Sequence, residues 1–356
     1  MMIIKHKFWV SPLILVGICS LITSSCESTF EKKDPFKVIS LEPLTDEIPF
    51  EELGSGKILF QRSNLSESNG YYIIDVDQKR SYGFILNSFI KWPYVSPDGS
   101  KIACSLRNSS DRNFTWNIYC MNIDGTNCIP VTNAGGGDYP TWSPDGLRIL
   151  YYINDIDGPL YMLSATENST DRVEMIKFYY GDDPNWFIIP SGGFSISPDG
   201  QLICVSRGGS KTSGLLKIEP YKEKTGVSVL LPQTFYEEPL VSVFSPDGTK
   251  IAFAILERDS LGYQQAIRIK SMDPDGKNNT PLVRVKISNE AMIYSYWNAN
   301  PLVSLCWSPD GKKLLFNVPT DQNDGYHLMA VNADGSGLIQ VTHEMNAYDF
   351  YVSWGR

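Results

Sequence analysis

Five copies of one tetrapeptide, Ser-Pro-Asp-Gly, constrain this chain more than any other feature. They begin at Ser96, Ser143, Ser197, Ser245 and Ser308. Each is flanked by short apolar or aromatic runs, as in Tyr139-Pro-Thr-Trp142 before the second copy and Leu147-Arg-Ile-Leu150-Tyr-Tyr-Ile153 after it. Proline presets φ near about −65° at the second turn position, aspartate bonds forward to backbone N–H groups, and glycine accepts positive φ without steric cost. One copy signals a hairpin; five, spaced roughly 47 to 63 residues apart, define a repeat architecture.

The units align strand by strand. The second has Trp92-Pro-Tyr-Val95 before its turn, then Lys101-Ile-Ala-Cys104, Trp116-Asn-Ile-Tyr119 and Cys128 to Thr132. A second turn signal, Asn122-Ile-Asp-Gly125, recurs as Asp273-Pro-Asp-Gly276 and Asn332-Ala-Asp-Gly335 between third and fourth strands, where a tight hairpin calls for Asp-Gly chemistry. The first unit, from Gly56, lacks its first strand. The chain ends on Tyr348-Asp-Phe-Tyr-Val-Ser-Trp354, a first strand with no unit after it. The expectation is an all-β fold, a six-bladed β-propeller of four-stranded antiparallel blades whose ring is closed by the C-terminal strand pairing into blade one. The propeller is expected over residues 56–356.

The first 25 residues read as an export signal. Lys5, His6 and Lys7 precede an apolar stretch through Leu13-Ile-Leu-Val16 to Leu21-Ile22, too short to span a bilayer as a stable helix. Thr23-Ser-Ser25 and then Cys26 resemble a bacterial lipoprotein signal, which implies acylation of Cys26 as the mature N-terminus. Simple secretion with cleavage nearby is the alternative. Residues 26–55 then form a polar tether and an extended segment that packs on the outside of the main domain.

Apolar content of 42% suffices for a core, and a formal charge of −9 with a pI of about 5.0 disfavours a nucleic-acid partner. Loss of Lys5 and Lys7 with the leader takes that charge to −11. Of the seven cysteines, Cys104, Cys204 and Cys306 lie in apolar runs and read as small buried hydrophobes. Cys120 and Cys128 flank a turn and are the one pair nominated for a disulfide.

The Ser-Pro-Asp-Gly turns, each after a strand that often ends in tryptophan, resemble the TolB-type β-propellers, over roughly Gly56 to Arg356. The resemblance implies an envelope protein that binds partners through a propeller face. It also implies an N-terminal domain for which fewer than about 30 residues separate Cys26 from the first strand, so a role in the Tol–Pal system is not expected.

Turns joining first and second strands lie on one rim, so the loops entering each first strand occupy the other. That second rim offers Asp138, Tyr139, Trp186, Glu237, Glu238, Asn300, Tyr348 and Asp349 as candidate binding residues, with Asn298 beside them. Aromatics beside carboxylates and amides suit a sugar or a peptide. Trp142, Trp307 and Trp354, immediately before or at the turn position, read as packing between blades. His327 and His343 fall in or at strands and form no expected metal set, and the pairs Asp155/Asp157 and Asp182/Asp183 read as surface turns. No Gly-x-Ser-x-Gly elbow occurs. The expected function is that of a non-catalytic, monomeric envelope lipoprotein, sorted to the outer membrane, whose propeller face binds a protein or glycan without cofactor or metal. The alternative is a carbohydrate-active lyase or glycoside hydrolase with acidic residues at the channel mouth.

A chain anchored in this way incorporates labelled palmitate in its bacterial host. Cys26→Ser is expected to abolish the label on autoradiography; label retained by the variant would place the acyl chain elsewhere.

Overall fold

The computed structural model describes residues 38–64, 70–86, 89–107, 116–132, 137–152, 160–164, 166, 170–171, 173–176, 190–207, 214–219, 227–287, 303–319 and 325–356. The predicted leader, Cys26 and the tether up to residue 37 lie outside them. All the described residues fall in one compact unit, Pro35–Arg356.

Strands account for almost all regular structure. β1 (Val38–Leu41) and one helical turn, α1 (Phe50–Leu53), precede a first antiparallel set of β2 (Lys57–Asn64), β3 (Gly70–Asp75) and β4 (Arg80–Leu86). The second set is β5 (Phe89–Val95), β6 (Lys101–Arg107), β7 (Asn117–Asn122) and β8 (Ile129–Pro130); the third is β9 (Asp138–Trp142), β10 (Arg148–Tyr152), β11 (Leu160–Ser164) and β12 (Val173–Ile176). The fourth is β13 (Pro190–Ile196), β14 (Ile203–Arg207), β15 (Gly214–Ile218) and β16 (Val227–Pro232). The fifth is β17 (Glu237–Phe244), β18 (Ile251–Arg258), β19 (Gln264–Met272) and β20 (Thr280–Lys286). The last is β21 (Leu305–Trp307), β22 (Lys313–Pro319), β23 (Gly325–Asn332) and β24 (Ile339–Gln340), followed by β25 (Ala347–Gly355).

The repeated turn explains why the sets look alike. In each, the serine N–H bonds the carbonyl five residues on, and the glycine N–H returns to the serine carbonyl, as in Ser143 N to Arg148 O at 2.8 Å and Gly146 N to Ser143 O at 2.9 Å. The serine hydroxyl donates to the aspartate, 2.6 Å in Ser143–Asp145, while that carboxylate accepts the N–H after the glycine. The glycines take φ of 70° to 73°, a left-handed backbone that other residues adopt only with strain. At Gly99 a Cβ would also meet the Arg356 carbonyl at 1.6 Å.

Among the described residues the core is divided into six apolar clusters between neighbouring sets: Ala103, Ile118, Cys120 and Val131 of the second pack on Trp142, Ile149 and Tyr151 of the third, and each other successive pair shares a cluster of the same kind. The expected tryptophans stitch these interfaces. Trp142 donates Nε1–H to Tyr94 O at 2.9 Å, Trp307 to Val243 O at 3.3 Å and Trp354 to Ser55 O at 2.9 Å. First strands adjoin in series, β25, β5, β9, β13, β17 and β21, and β21 adjoins β25 again.

β25 pairs antiparallel with β2, from Lys57 opposite Gly355 to Asn64 opposite Ala347, and so supplies the first strand that the opening set lacks. It also touches β23 in parallel over two residue pairs, which merges the first and last sets into one nine-stranded sheet. A buried ion cluster clamps this seam. The Arg62 guanidinium grips Asp349 through Nε at 2.7 Å and Nη2 at 2.9 Å, and its Nη1 reaches Asp46 at 2.7 Å and Glu344 at 2.6 Å. Burial pushes the Asp349 carboxyl up, while Arg62 and the Thr342 hydroxyl pull it back. Arg62 itself is held above its ordinary value by Asp349 and Asp46 against its burial.

Two features depart from expectation. β1 joins the outer edge of β4, giving the opening set a fifth strand; only four residues, Val-Ile-Ser-Leu, carry it, too few to stand out in the sequence. Cys120 and Cys128 remain thiols, because Cys120 stands opposite Ile129 and Cys128 sits before the paired stretch.

Deleting Tyr348 to Arg356 removes most of β25 and exposes the β2 edge. Aggregation or loss of cooperative unfolding is expected; a soluble truncation with unchanged melting would refute the shared sheet. A second expectation concerns acid. Serine hydroxyls and turn N–H groups hold Asp145, Asp199 and Asp247 below 3.8, and in Asp98 and Asp310 the same bonds outweigh a burial that acts upward. A carboxylate with a depressed folded pKa adds stability above its unfolded pKa and loses it as pH falls through the folded value. Tm should therefore fall steeply below about pH 4; a Tm that keeps rising on acidification would contradict the turn chemistry.

Candidate functional site

Of the predicted rim residues, Asp138, Tyr139, Glu237, Glu238, Tyr348 and Asp349 are described; they stand at or next to the starts of β9, β17 and β25 and none lines the central cavity. Trp186 and Asn300, like Asn298, Asp155, Asp157, Asp182 and Asp183, lie outside the described residues. Asp349 is fully buried in the Arg62 clamp, where it joins β25 to β2. Glu238 is buried and bridges Arg258 at 2.7 Å, while Glu237 stands opposite Glu257 at the start of β17. Tyr348 stacks on Phe350, centroids 6.2 Å apart. Asp138 and Tyr139 belong to a larger constellation at the mouth formed by β25, β5 and β9, which Tyr348 adjoins through Phe350.

That mouth is built by three bulges. Trp92, Tyr139 and Tyr351 each stand four positions ahead of the turn serine or its counterpart Gly355, and each has a φ of 53° or 54°. Bulky aromatics avoid this region, and such a residue costs on the order of 1–3 kcal/mol unless its surroundings over-determine it. Here they do. The register slips beside each bulge, Trp92 stacks on Tyr139 at 4.5 Å, and Tyr351 meets Trp92 edge-on at 4.8 Å. Trp92 is only 6% exposed, and its Nε1–H finds no acceptor among the described residues.

Charge collects beside these rings. The Lys91 ammonium lies 4.0 Å from the centre of the Trp116 ring, and the Arg107 guanidinium approaches the same ring at 5.5 Å. Burial, and then Arg107, pull Lys91 below its ordinary value, against the attraction of Asp138. Burial pushes the Asp138 carboxyl up, offset by the Ser105 hydroxyl and Lys91. Tyr351 is pushed up to about 12 by burial and by the Asp138 charge. Asp138 thus sits within the electrostatic reach of both Lys91 and Tyr351.

Behind the mouth, the first strands enclose a channel cavity of about 500 Å³, within the range of small-ligand sites. Trp92, Tyr94, Phe194, Phe244 and Tyr351 furnish its aromatic wall, and Pro97, Pro144, Pro198, Pro246 and Pro309 stand at its turn-side end. Serines on the first strands knit neighbouring sets by accepting backbone N–H groups: Ser304 Oγ from Tyr351 at 3.1 Å and Ser353 Oγ from Val95 at 3.1 Å. Each keeps its own hydroxyl proton for donation.

Among the described residues no group of three His, Cys, Asp or Glu side chains stands close enough to share a metal ion. His327 is buried in β23 and His343 is exposed beyond β24. The signal that points to the mouth was an aromatic-proline pair at a fixed offset from the turn, Trp92-Pro93 and Tyr139-Pro140. Lys91, Arg107 and Trp116 left no such signal, since they come from three strands' ends.

The arrangement of sets, turns and channel is that of the TolB-like β-propellers. TolB from Acinetobacter baumannii superposes with a TM-score of 0.60 at 19% identity, covering 84% of this chain. The chain spans 66% of that protein, just under two thirds of its length. A TolB-type protein of Agrobacterium tumefaciens gives 0.50 at 15% identity over 85% of this chain and 100% of that one. An oligogalacturonate lyase in complex with manganese gives 0.51 at 11% identity over 87% and 85%. At these identities the likeness is one of fold. No family model matches the sequence, and no curated protein matches it.

Proposed function

We propose that this chain is a six-bladed TolB-like propeller acting as a non-catalytic binding module of a bacterial envelope, held by a lipid on Cys26 and engaging a protein or glycan partner at the mouth formed by β25, β5 and β9. The observation that carries the reading is the strained, stacked Trp92, Tyr139 and Tyr351 beside Lys91 and Trp116, opening on a channel. Strain of this kind collects at functional sites, and aromatics with a few placed polar groups make good recognition surfaces. The return of β21 to β25 supports six blades in a closed ring. Glu27 after Cys26 and the charged tether support outer-membrane sorting by resemblance to known lipoproteins. No helix among the described residues is long and apolar enough to cross a membrane.

One observation favours a second reading, a carbohydrate-active lyase or hydrolase. Asp138 is pushed up and Lys91 pulled down, the direction in which acid and base groups are tuned.

A crosslinked pull-down of the full chain from its own envelope, beside a Lys91→Ala/Trp116→Ala variant, decides between them. A specific partner recovered with the wild type alone is the expected result. Equal recovery by the variant would remove the mouth from the function, and shortened glycan in the wild-type sample would establish the enzyme.

A further inference from the structure

We infer that the rim of the fifth set is a membrane-contacting edge, on which Phe235, Tyr236, Leu261 and Tyr263 enter the headgroup layer of the bilayer to which a lipid on Cys26 holds the protein. The inference rests on the reading of the chain as an envelope lipoprotein and adds a second, noncovalent contact with the same membrane.

Two tight turns build this surface. β16 passes to β17 through Thr234–Glu237, where the Glu237 N–H donates to the Thr234 hydroxyl at 2.9 Å and the Thr234 N–H to the Glu237 carbonyl at 2.9 Å. β18 passes to β19 through Asp259–Tyr263, where the Asp259 carboxylate accepts the N–H groups of Leu261 and Tyr263, each at 2.9 Å. The Arg258 N–H donates to Tyr236 O at 2.8 Å and joins the two turns. Fixed in this way, they present Phe235 at 59% exposure, Tyr236 at 55%, Leu261 at 76% and Tyr263 at 50%. Phe235 and Tyr236 meet edge-on at 5.3 Å, and Phe235 also reaches within 3.6 Å of where a Cβ would stand on Gly262. These are four of the ten large hydrophobic side chains exposed among the described residues. A solitary one needs no explanation, but a group on two adjoining turns marks a contact surface.

The point where the chain enters the folded body indicates what lies against them. Val38 pairs with Leu86, and the ladders from β4 through β3 and β2 to β25 put that end of β1 on the rim where the first strands begin. β17 begins and β18 ends on the same rim, where Glu237 stands opposite Glu257. Cys26 precedes Val38 by twelve residues, a reach of at most about 40 Å when fully extended. An acyl chain on Cys26 therefore holds Val38 within that distance of the bilayer, and the apolar turns are on its side of the fold. Leu261, the most exposed of the four, stands at the middle of its turn, and such a tip enters a deformable layer without needing a matching pocket. Tyrosine and phenylalanine favour headgroup depth. Arg258 is bound to Glu238, and Arg268 and Arg284 to Glu257, so the contact is made by apolar tips and not by charge. In the order of neighbouring first strands β17 is three removed from β5, so a fold leaning on its fifth set leaves the Trp92 mouth clear.

Site-directed fluorescence tests this on the full chain, purified from its host and reconstituted into zwitterionic vesicles of phosphatidylcholine and phosphatidylethanolamine. Ser260→Cys carries a nitrobenzoxadiazole label beside Leu261 and keeps all four apolar side chains. Leu147→Cys carries the label on the opposite rim, in place of a leucine that is 68% exposed. The label at 260 is expected to shift to the blue in vesicles and to be quenched by brominated lipids, undiminished as salt rises, with no response at 147. Adding Phe235→Ser and Leu261→Ser should abolish the shift. Melting curves show whether that variant is folded, and if it is not, the comparison of 260 with 147 still decides. A label at 260 that stays aqueous, or responds no more than the one at 147, overturns the inference. A shift that grows with protein concentration in the absence of vesicles overturns it in favour of a second copy, and one seen only in native envelope fragments overturns it in favour of a protein. Palmitate incorporation reads the anchor separately. Acylated protein with an aqueous label sinks the membrane edge and keeps the lipoprotein, whereas unacylated protein whose label still shifts on vesicles sinks the lipoprotein and keeps the edge.

Discussion

The seam between β2 and β25 is the constraint on which the rest of the structure depends. Each four-stranded set buries its faces only against its neighbours, so a missing neighbour leaves apolar surface and a bare strand edge. The chain solves this by joining its two ends in one sheet, and places its most expensive group there. Arg62 is 3% exposed and Asp349 and Asp46 are not exposed at all. Such a cluster adds little net stability compared with apolar packing, but removing one partner leaves an unmatched buried charge at a cost of about 3–5 kcal/mol. Its value is specificity: only the correct register of β25 on β2 brings Asp349 to Arg62.

The same seam brings in the segment ahead of the repeats. Asp46 accepts N–H groups from His343 and Glu344 and is held below the usual carboxylate range, since those bonds and Arg62 outweigh its burial. β1 covers the outer edge of β4, and Leu44, Ile48 and Phe50 pack on the cluster between the first and last sets. The residues from Val38 on therefore belong to the folded body.

The seam also makes the site. Tyr351 reaches Trp92 only because β25 lies beside β5, and Trp92 reaches Tyr139 only because β5 lies beside β9. Positive φ at three aromatics is tolerated because neighbouring sets hold the rings from both sides. Stability spent at the mouth is recovered in the interfaces on either side of it, where tryptophan N–H groups and serine hydroxyls tie one set to the next.

Strands, turns and the closing strand were legible in the sequence, because Pro-Asp-Gly chemistry acts within four residues and repetition multiplies a weak local signal. The inter-set role of Trp142, Trp307 and Trp354 was legible for the same reason. Asp349 and Glu238 look like free rim carboxylates in the sequence, and only the structure shows them neutralised by Arg62 and Arg258, from other strands. The meeting of Lys91, Arg107, Trp116 and Asp138 was equally invisible. Local sequence dictates where the chain turns and which residues point inward, because those depend on φ and ψ preferences and on alternation. Which charges meet, which aromatics stack and which buried donor is left unmet depend on how whole sheets are placed against one another, and that placement exists only once the sheets have packed.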